Sequence, residues 1–223
     1  MSFESFDLTH GLLSDLRDGP FPSVVWSWVG DALSLADGAT HFGFVQVGPA
    51  TLDCAAGTFA LRAGMYFAVP GPLTVAGGRG LVVSRLGHRG FFHVGGPIEE
   101  RGRLRYIDGC TDSLLVPPVL RGDPCLNLLH LPPSTRQTPH THPSIRVGLA
   151  VRGAGSCVTP EGMVALMPGR AFVIHADALH CFQTGPSELL VLAYHPESDF
   201  GPTHADHPMI NRTIVRRSER LEA

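Results

Sequence analysis

The chain has 223 residues, 43% of them hydrophobic, and a formal net charge of −3. This length can bury a core without disulfide or metal staples, and the small charge gives no basic surface for nucleic acid or acidic lipid. We therefore expect neither a nucleic-acid nor a membrane partner. All 17 basic residues are arginine, which excludes a Schiff-base lysine and a P-loop lysine. The 26 glycines and 19 prolines favour an all-β fold of short strands joined by turns.

The cysteines and the N-terminal residues bear on the compartment of the protein. No two of the five cysteines are spaced as CxxC, so neither a zinc ribbon nor a redox dithiol is expected. The first residues lack a basic segment followed by an apolar run, so we expect no signal peptide. A cytoplasmic location follows as the default.

The N-terminal segment, roughly 1–35, contains Leu12, Leu13 and Leu16. Apolar residues three and four positions apart are typical of one face of a helix. We therefore predict one short helix before the strands begin.

Short apolar runs separated by glycine turns occupy 41–85 and resume over 125–195. The polar, glycine-rich segment 95–105 separates the two regions as a linker or crossover. The stretches GFVQVGPATLDCAAGTFALRAGMYFAVPG and GLAVRGAGSCVTPEGMVALMPGRAFVIHA share one rhythm of strands and glycine turns. Such self-similarity indicates a duplicated domain.

Three histidines in the second region have the spacing of metal ligands. His140 and His142 form an HxH pair, so both imidazoles point to the same face if the backbone there is extended. His180 follows 38 residues later, next to a strand that can neighbour the HxH segment. Three converging imidazoles suit a borderline divalent ion such as Fe, Zn, Ni or Cu.

This spacing resembles that of the cupin superfamily, whose motifs read G(X)5HXH(X)3-4E(X)6G and G(X)5PXG(X)2H(X)3N. His140 and His142 fill the HXH of the first motif, and Gly153 fills its closing glycine. Gly169 and His180 fill the glycine and the histidine of the second motif. The resemblance implies two tandem cupin barrels, each a double-stranded β-helix or jelly roll, after the short N-terminal helix.

The resemblance also divides the chain into two domains. Residues 1–100 are expected to form a degenerate N-terminal barrel, and 106–223 a metal-binding C-terminal barrel with an irregular tail. In the first half, Gly64 and Pro70 match the start of the second motif, but Val75 stands at the histidine position. We therefore expect this barrel to be metal-free, with a packing role or a role as a lid.

Several motif positions in the second half depart from the family pattern. Arg146 stands where most cupins have the glutamate ligand. Ser134 and Asp177 replace motif glycines, His175 replaces the proline, and Thr184 replaces the asparagine. The predicted site is therefore built from three neutral histidines without a carboxylate.

Arg146 cannot ligate a metal, because a guanidinium carries only hydrogen-bond donors. We predict that it binds a substrate carboxylate or enolate next to the ion, through a bidentate contact. The alternative is an ordinary salt bridge to Glu161, to Asp177 or to a partner chain.

Other polar residues near the motif are additional candidates. Gln137 is expected to supply a fourth, oxygen ligand or else to lie at a loop surface. His130 is expected to point into the barrel near the site or else to be a core histidine. His175 alternates with Phe172 and Ile174, which favours an outward side chain over a place in the site. Histidines of the tail match no ligand template: His195, His204 and His207.

One divalent transition metal is the expected cofactor, with Fe²⁺ favoured and Zn²⁺, Ni²⁺, Mn²⁺ or Cu²⁺ as alternatives. The three-histidine set resembles that of cupin dioxygenases that hold ferrous iron. It implies a metal-dependent, dioxygenase-like enzyme that acts on a small anionic molecule. The alternatives are a Zn, Ni or Mn isomerase or lyase, and a non-catalytic cupin that binds or senses a small molecule. We expect a homodimer, with the tail segment HPMINRT packed across a barrel mouth or onto the second subunit.

Overall fold

The computed structural model describes residues 2–198, which contain 18 β-strands and no α-helix. In chain order the strands are β1 (Phe3–Asp7), β2 (Gly11–Leu16), β3 (Ser23–Val29), β4 (Leu33–Leu35), β5 (Ala39–Val47), β6 (Ala50–Cys54), β7 (Gly57–Leu61), β8 (Tyr66–Pro70), β9 (Leu73–Ala76), β10 (Arg79–Leu86), β11 (His93–Gly95), β12 (Leu104–Arg105), β13 (Thr111–Val116), β14 (Cys125–Leu131), β15 (Arg146–Thr159), β16 (Gly162–Leu166), β17 (Arg170–Ile174) and β18 (Cys181–His195). One turn of 3₁₀ helix spans Ile107–Gly109. Within residues 2–198, no helix has the length and apolar character that crossing a bilayer needs.

The strands form three sheets of antiparallel pairs. An eight-stranded sheet has the order β1-β17-β15-β18-β14-β13-β12, with β16 paired to β15. A six-stranded sheet has the order β11-β8-β5-β10-β3-β2, and a four-stranded sheet the order β4-β9-β6-β7. The two smaller sheets thus hold the strands between residues 11 and 95, and the large sheet holds those between 104 and 195 together with β1. The polar segment 96–103 contains no strand.

The predicted N-terminal helix is wrong. Leu12, Leu13 and Leu16 lie in β2, which pairs with β3. The register of that pair shifts between Leu12 and Ser14. Such a bulge interrupts the two-residue alternation of a strand, and the apolar residues then acquire a spacing that imitates a helix.

The first strand belongs to the large sheet, although the next strand along the chain belongs to the six-stranded sheet. β1 pairs with β17, with Phe3 opposite Ile174. The ring of Phe3 stacks on that of Phe172, with 5.5 Å between ring centroids. The N-terminus therefore covers the outer edge of the sheet that carries the second half of the chain.

Buried apolar side chains form three clusters. One, around Trp28 and Phe67, comes from the strands of the two smaller sheets and their turns. Another, around Phe172, comes from the large sheet and the segment before it. The third contains residues of both groups, including Phe42 and Leu149. Because apolar surface of both groups is buried in this shared cluster, it holds them together.

Glycine and phenylalanine pack in the same way in the two groups. Gly43 on β5 pairs with Phe67 on β8, and Gly148 on β15 pairs with Phe172 on β17. A Cβ atom added to either glycine would stand 2.0 Å from the Cζ atom of its partner phenylalanine. Each ring therefore lies over bare backbone where only glycine fits. This repeated arrangement is the structural counterpart of the repeated strand–turn rhythm in the sequence.

We predict that Phe3→Ala destabilises the protein, because it removes the ring stacked on Phe172. A partly buried aromatic of this kind contributes about 1–3 kcal/mol to the free energy of unfolding. Urea unfolding followed by fluorescence measures this value. The matched control is Phe91→Ala, since the side chain of Phe91 is 72% exposed and its loss should change stability by less than ~0.5 kcal/mol. An effect of Phe3→Ala as small as that of Phe91→Ala would show that the ring of Phe3 contributes no packing energy.

Candidate metal centre

Backbone pairing brings the candidate ligands together. His140 lies in the irregular segment between β14 and β15, and His180 lies directly before β18. The N–H of His140 donates to the carbonyl of His180 at 2.9 Å, and the N–H of His180 donates back at 3.0 Å. The N–H of Asp177 donates to the carbonyl of His142 at 2.7 Å. These backbone hydrogen bonds therefore hold the segment of His140 and His142 against the residues that lead into β18.

The three imidazoles converge on one point. One ring nitrogen from each of His140, His142 and His180 lies within 4.8 Å of the others. The ring centroids are 5.0 Å apart for His140 and His142, 4.6 Å for His140 and His180, and 5.1 Å for His142 and His180. This is the arrangement that a divalent ion bound by three nitrogen ligands requires.

Hydrogen bonds to the backbone orient two of the three rings. The Nδ1 of His140 is 2.8 Å from the carbonyl oxygen of Thr138, and the Nδ1 of His180 is 2.9 Å from that of Ala178. A carbonyl oxygen only accepts, so each Nδ1 carries the proton and donates it. Each Nε2 is then left with a free lone pair, the tautomer that ligates a metal. The donor set therefore fits a divalent ion.

The surroundings of His142 and His180 favour the neutral form of these two rings. Burial, and then the nearby positive charge of Arg146, lowers the pKa of His142 to about 3. Burial likewise lowers the pKa of His180. Neutral imidazoles are the form that binds metals, so these two ligands need no deprotonation at neutral pH.

Two of the motif glycines are replaced, yet the backbone there keeps the glycine-type conformation. Ser134 has φ +61° and Asp177 has φ +59°, the left-handed region that glycine favours and that Asp tolerates better than most residues. The N–H of Ser134 donates to the carbonyl of Gly185 at 2.7 Å, and Asp177 is held by His142 as described above. The turns that carry the histidines thus keep their shape without glycine.

Two adjoining cavities open at the histidines. An inner cavity of about 60 Å³ contains the three rings, and its walls include Phe172, Ile174 and Phe182. An outer cavity of about 420 Å³ continues from it. Five residues line both cavities and form a neck between them: Tyr106, Asp112, His142, Arg146 and His195.

Hydrogen bonds to the two preceding residues fix the side chain of Arg146 on the neck. Its Nη1 donates to the Oγ of Ser144 at 2.7 Å and to the carbonyl of Ile145 at 2.9 Å. The hydroxyl of Ser144 in turn donates to Glu197 at 2.7 Å. The structure therefore places a fixed cation beside the imidazoles, at the position where the family motif has a carboxylate.

Gln137 lines the inner cavity, but its amide oxygen is already engaged. The N–H of Phe182 donates to the Oε1 of Gln137 at 3.1 Å. The Nε2 atom of Gln137 is buried and has no hydrogen-bond partner among residues 2–198. The hydrogen bond from Phe182 occupies one of the two lone pairs of the oxygen. In its present orientation Gln137 offers the cavity a donor.

His130 and His175 lie away from both cavities. The buried His130 is 3.0 Å from the carboxylate of Glu188 through its Nε2, and it sits on β14 between Leu129 and Leu131, one of which lines the inner cavity. Its ring therefore points to the opposite face of the strand. The Nε2 of His175 contacts the carboxylate of Glu4 on β1.

Three polar residues of the inner cavity were not predicted to belong to the site: Tyr106, Asp112 and His195. Burial raises the pKa of Asp112 to about 6 and lowers that of His195 well below its usual value. The ring of His195 lies 6.5 Å from that of His142, between centroids. His195 was visible in the sequence as the end of an apolar run, whereas Asp112 carried no signal. His204 and His207 lie outside the described residues.

No family model and no curated protein matches the chain, but solved structures do. A cupin 2 conserved barrel domain protein from Leptotrichia buccalis is 11% identical, with a TM-score of 0.60 over 86% of this chain and 88% of that chain. Salicylate 1,2-dioxygenase from Pseudoaminobacter salicylatoxidans, as its adduct with gentisate, is 11% identical, with a TM-score of 0.62 over 87% and 81%. Oxalate decarboxylase from Lactobacillus farciminis, in complex with formate, is 14% identical, with a TM-score of 0.56 over 88% and 86%. The chain therefore has an all-β, cupin-like fold.

We predict that His180→Ala abolishes metal binding, because two imidazoles alone do not hold a divalent ion tightly. Protein loaded anaerobically with Fe²⁺ should carry about one ion per chain, and the variant only background metal by elemental analysis. His175→Ala is the matched control and should keep the metal, since that ring contacts Glu4 instead. Metal loss in both variants, or in neither, would contradict the three-histidine assignment.

The buried neutral histidines also predict how metal-free protein responds to acid. Between pH 6.5 and about 3, His142 takes up a proton in the unfolded chain but not in the folded protein. Stability should therefore decrease as the pH falls through this range, by about 1.4 kcal/mol per pH unit for each such group. His142→Gln should reduce that slope by roughly one group's share. Urea unfolding at pH 7, 6 and 5 in chelator measures it; an unchanged slope would mean that His142 protonates normally.

Proposed function

We propose that this protein is a bicupin enzyme that uses one divalent metal to transform a small anionic organic molecule. Residues 1–100 would form a metal-free barrel, and 106–223 the barrel that holds the metal. His140, His142 and His180 would bind the ion, with Fe²⁺ favoured and oxygenation as the matching reaction.

Two observations support the tandem barrels. The structural match to the Leptotrichia protein covers 86% of the chain, which is more than either half contains. Leu33 also pairs with Val75 at the place in the first half that corresponds to the pairing of His140 with His180 in the second. Leu33 and Val75 are both buried in an apolar cluster. The first barrel would thus be filled with side chains where the second binds metal.

The observation that carries the function is the charge of the site. The three imidazoles and the cation of Arg146 line the inner cavity, and the group of side chains positioned to ligate contains no carboxylate within residues 2–198. A divalent ion would add two positive charges beside that arginine. Like charges at short range in a protected site repel strongly. An anionic ligand that contacts both the ion and Arg146 relieves this repulsion, and water molecules do not.

The residues of the cavities suggest a division of roles. When bound, the metal would supply Lewis-acid activation of the substrate and, as Fe²⁺, a route to react with dioxygen. Arg146 would hold the acid group of the substrate and stabilise negative charge that develops there. The side chains of Phe172, Ile174 and Phe182 would exclude bulk water from the inner cavity. Gln137 would donate a hydrogen bond to an oxygen of the bound molecule.

The likeness to known structures supports a small acid as the substrate. The salicylate dioxygenase is described with gentisate and the oxalate decarboxylase with formate. The two share this fold but differ in reaction, so the fold alone does not select the chemistry. Iron is preferred here because imidazole ligands with open positions suit oxygen-activating ferrous sites.

The function is tested by a screen of metal-loaded protein. Protein purified anaerobically is loaded with Fe²⁺, and oxygen uptake is measured against a panel of small carboxylates. We expect uptake that depends on both the acid and the metal, and that His140→Ala abolishes. Acid turnover without oxygen uptake, with Mn²⁺ or Zn²⁺ in place of iron, would favour a lyase or isomerase. Binding without any turnover would favour a sensing protein and refute an enzyme.

We predict that Arg146→Ala raises KM for the acid found in the screen by about 10- to 100-fold, the range expected for a lost charged hydrogen bond. Metal content should stay at the level of the unmodified protein, because guanidinium is not a ligand. Steady-state kinetics and elemental analysis measure the two quantities. Arg62→Ala removes an exposed arginine from the first half and should change neither. Loss of metal in Arg146→Ala would assign Arg146 to the integrity of the site instead of to the substrate.

A further inference from the structure

A pair of polar side chains on the outer cavity has hydrogen-bonding groups that the protein does not satisfy. Asp112 on β13 and Asn127 on β14 both line this cavity. The Nδ2 of Asn127 donates to the Oδ2 of Asp112 at 3.2 Å. The Oδ1 atom of each residue is buried and has no hydrogen-bond partner among residues 2–198.

The hydrogen bond within the pair determines what the pair offers to the cavity. Because the amide nitrogen of Asn127 faces the carboxylate, its amide oxygen is directed elsewhere. Both remaining oxygens, one from Asp112 and one from Asn127, are therefore acceptors. Asn127 and Leu129 share one face of β14, and Leu129 lines the inner cavity. Asn127 thus lies on the face of β14 that Leu129 presents to the inner cavity, and it lines the adjoining outer cavity together with Asp112.

Buried polar groups in folded proteins almost always have a hydrogen-bond partner. When such groups lie on a cavity wall, a bound molecule that carries donors satisfies them. Asp112 is not part of the group positioned to ligate a metal, which within residues 2–198 comprises the three histidines. Its carboxylate is therefore available to a ligand.

The donors of the site lie at other points of the same cavities. Arg146 lines both cavities, and the unpaired Nε2 of Gln137 belongs to the inner one. The complementary molecule carries an acid group at one end and a hydrogen-bond donor elsewhere. The outer cavity of about 420 Å³ falls within the size range of small-molecule sites, ~300–1,000 Å³.

We infer that Asp112 and Asn127 select the substrate by binding a hydroxyl or amino group, so that the substrate class is a small carboxylic acid that also carries one of these donors. This assignment rests on the proposed function, which supplies the acid group and its contact with Arg146. A hydroxyl and an ammonium group present the same donor chemistry to the pair. They differ in that a hydroxyl also accepts a hydrogen bond, whereas an ammonium group only donates.

The test compares acids that differ only in the donor. Titration calorimetry of Fe²⁺-loaded protein, without oxygen and at pH 8, uses propionate, lactate and alanine, and then benzoate, salicylate and anthranilate. We expect the acid with a hydroxyl or an amino group to bind at least ~10-fold more tightly than its parent acid, as for a hydrogen bond to a charged group. The substituent that gives the tighter binding, hydroxyl or amino, identifies the donor that the pair prefers.

The variant Asp112→Asn keeps the shape of the side chain and its contact with Asn127, but turns an acceptor in the cavity into an amide donor. We expect affinity for the parent acid to stay within about 3-fold and the preference for an amino group to disappear, since two donors cannot pair. The preference for a hydroxyl should weaken but persist. Asp53→Asn makes the same change on the exposed hairpin of β6 and β7 and should leave all preferences intact.

The outcomes separate this inference from the function on which it rests. If parent and substituted acids bind equally in a metal-dependent manner, or if Asp112→Asn keeps the full preference, the assignment of the pair is overturned and the proposed function stands. If no acid binds to the metal-loaded protein, the proposed function fails and the assignment fails with it.

Discussion

The candidate site depends on one stretch of backbone pairing between an irregular segment and the start of β18. Reciprocal bonds join His140 to His180 at 2.9 and 3.0 Å, and further along the N–H of Gln137 donates to the carbonyl of Phe182 at 3.0 Å. These bonds connect residues 40 or more positions apart and leave the side chains of His140 and His142 facing His180. Because the backbone fixes the positions of the rings, the ligands are preorganised, and an ion would not have to assemble them.

Charge is the second constraint, and it follows from the first. The pairing gathers three imidazole rings, and Arg146 adds a cation beside them in the same cavity. Glu197, which follows β18, accepts a hydrogen bond from the hydroxyl of Ser144 at 2.7 Å and thereby supports the contact of Ser144 with Arg146. Asp112 on the neck is bonded to Asn127. Neither acid is among the three side chains positioned to ligate within residues 2–198, so under the proposed function a bound anion would supply negative charge beside the ion.

Sequence spacing predicted the strands, the cupin-like fold and the three histidines that converge, because the motif encodes turns and ligands together. It could not reveal that Ser134 and Asp177 adopt the left-handed conformations of the glycines they replace, since side-chain identity does not fix φ. The helix predicted around Leu12 was wrong, because a bulge in β2 gives the apolar residues a helix-like spacing. For another reason, the sequence did not place Asp112 or His195 at the site. They reach the cavities through the pairing of β13 with β14 and of β14 with β18. Local sequence patterns do not predict such long-range register.

The internal repeat separates what the fold requires from what the chemistry requires. The packing of Gly43 against Phe67 recurs in the second half of the chain as Gly148 against Phe172, so this feature belongs to the architecture of each half. The position of His180 is occupied in the first half by the buried Val75, so the histidine is not needed for folding. Burial of a polar ring lowers the stability of the fold unless the ring is hydrogen-bonded. An apolar side chain fills the same position without this loss. The Nδ1 of His180 donates to the carbonyl of Ala178 and offsets part of this loss; under the proposed function, a bound metal ion would engage the Nε2 and offset the rest.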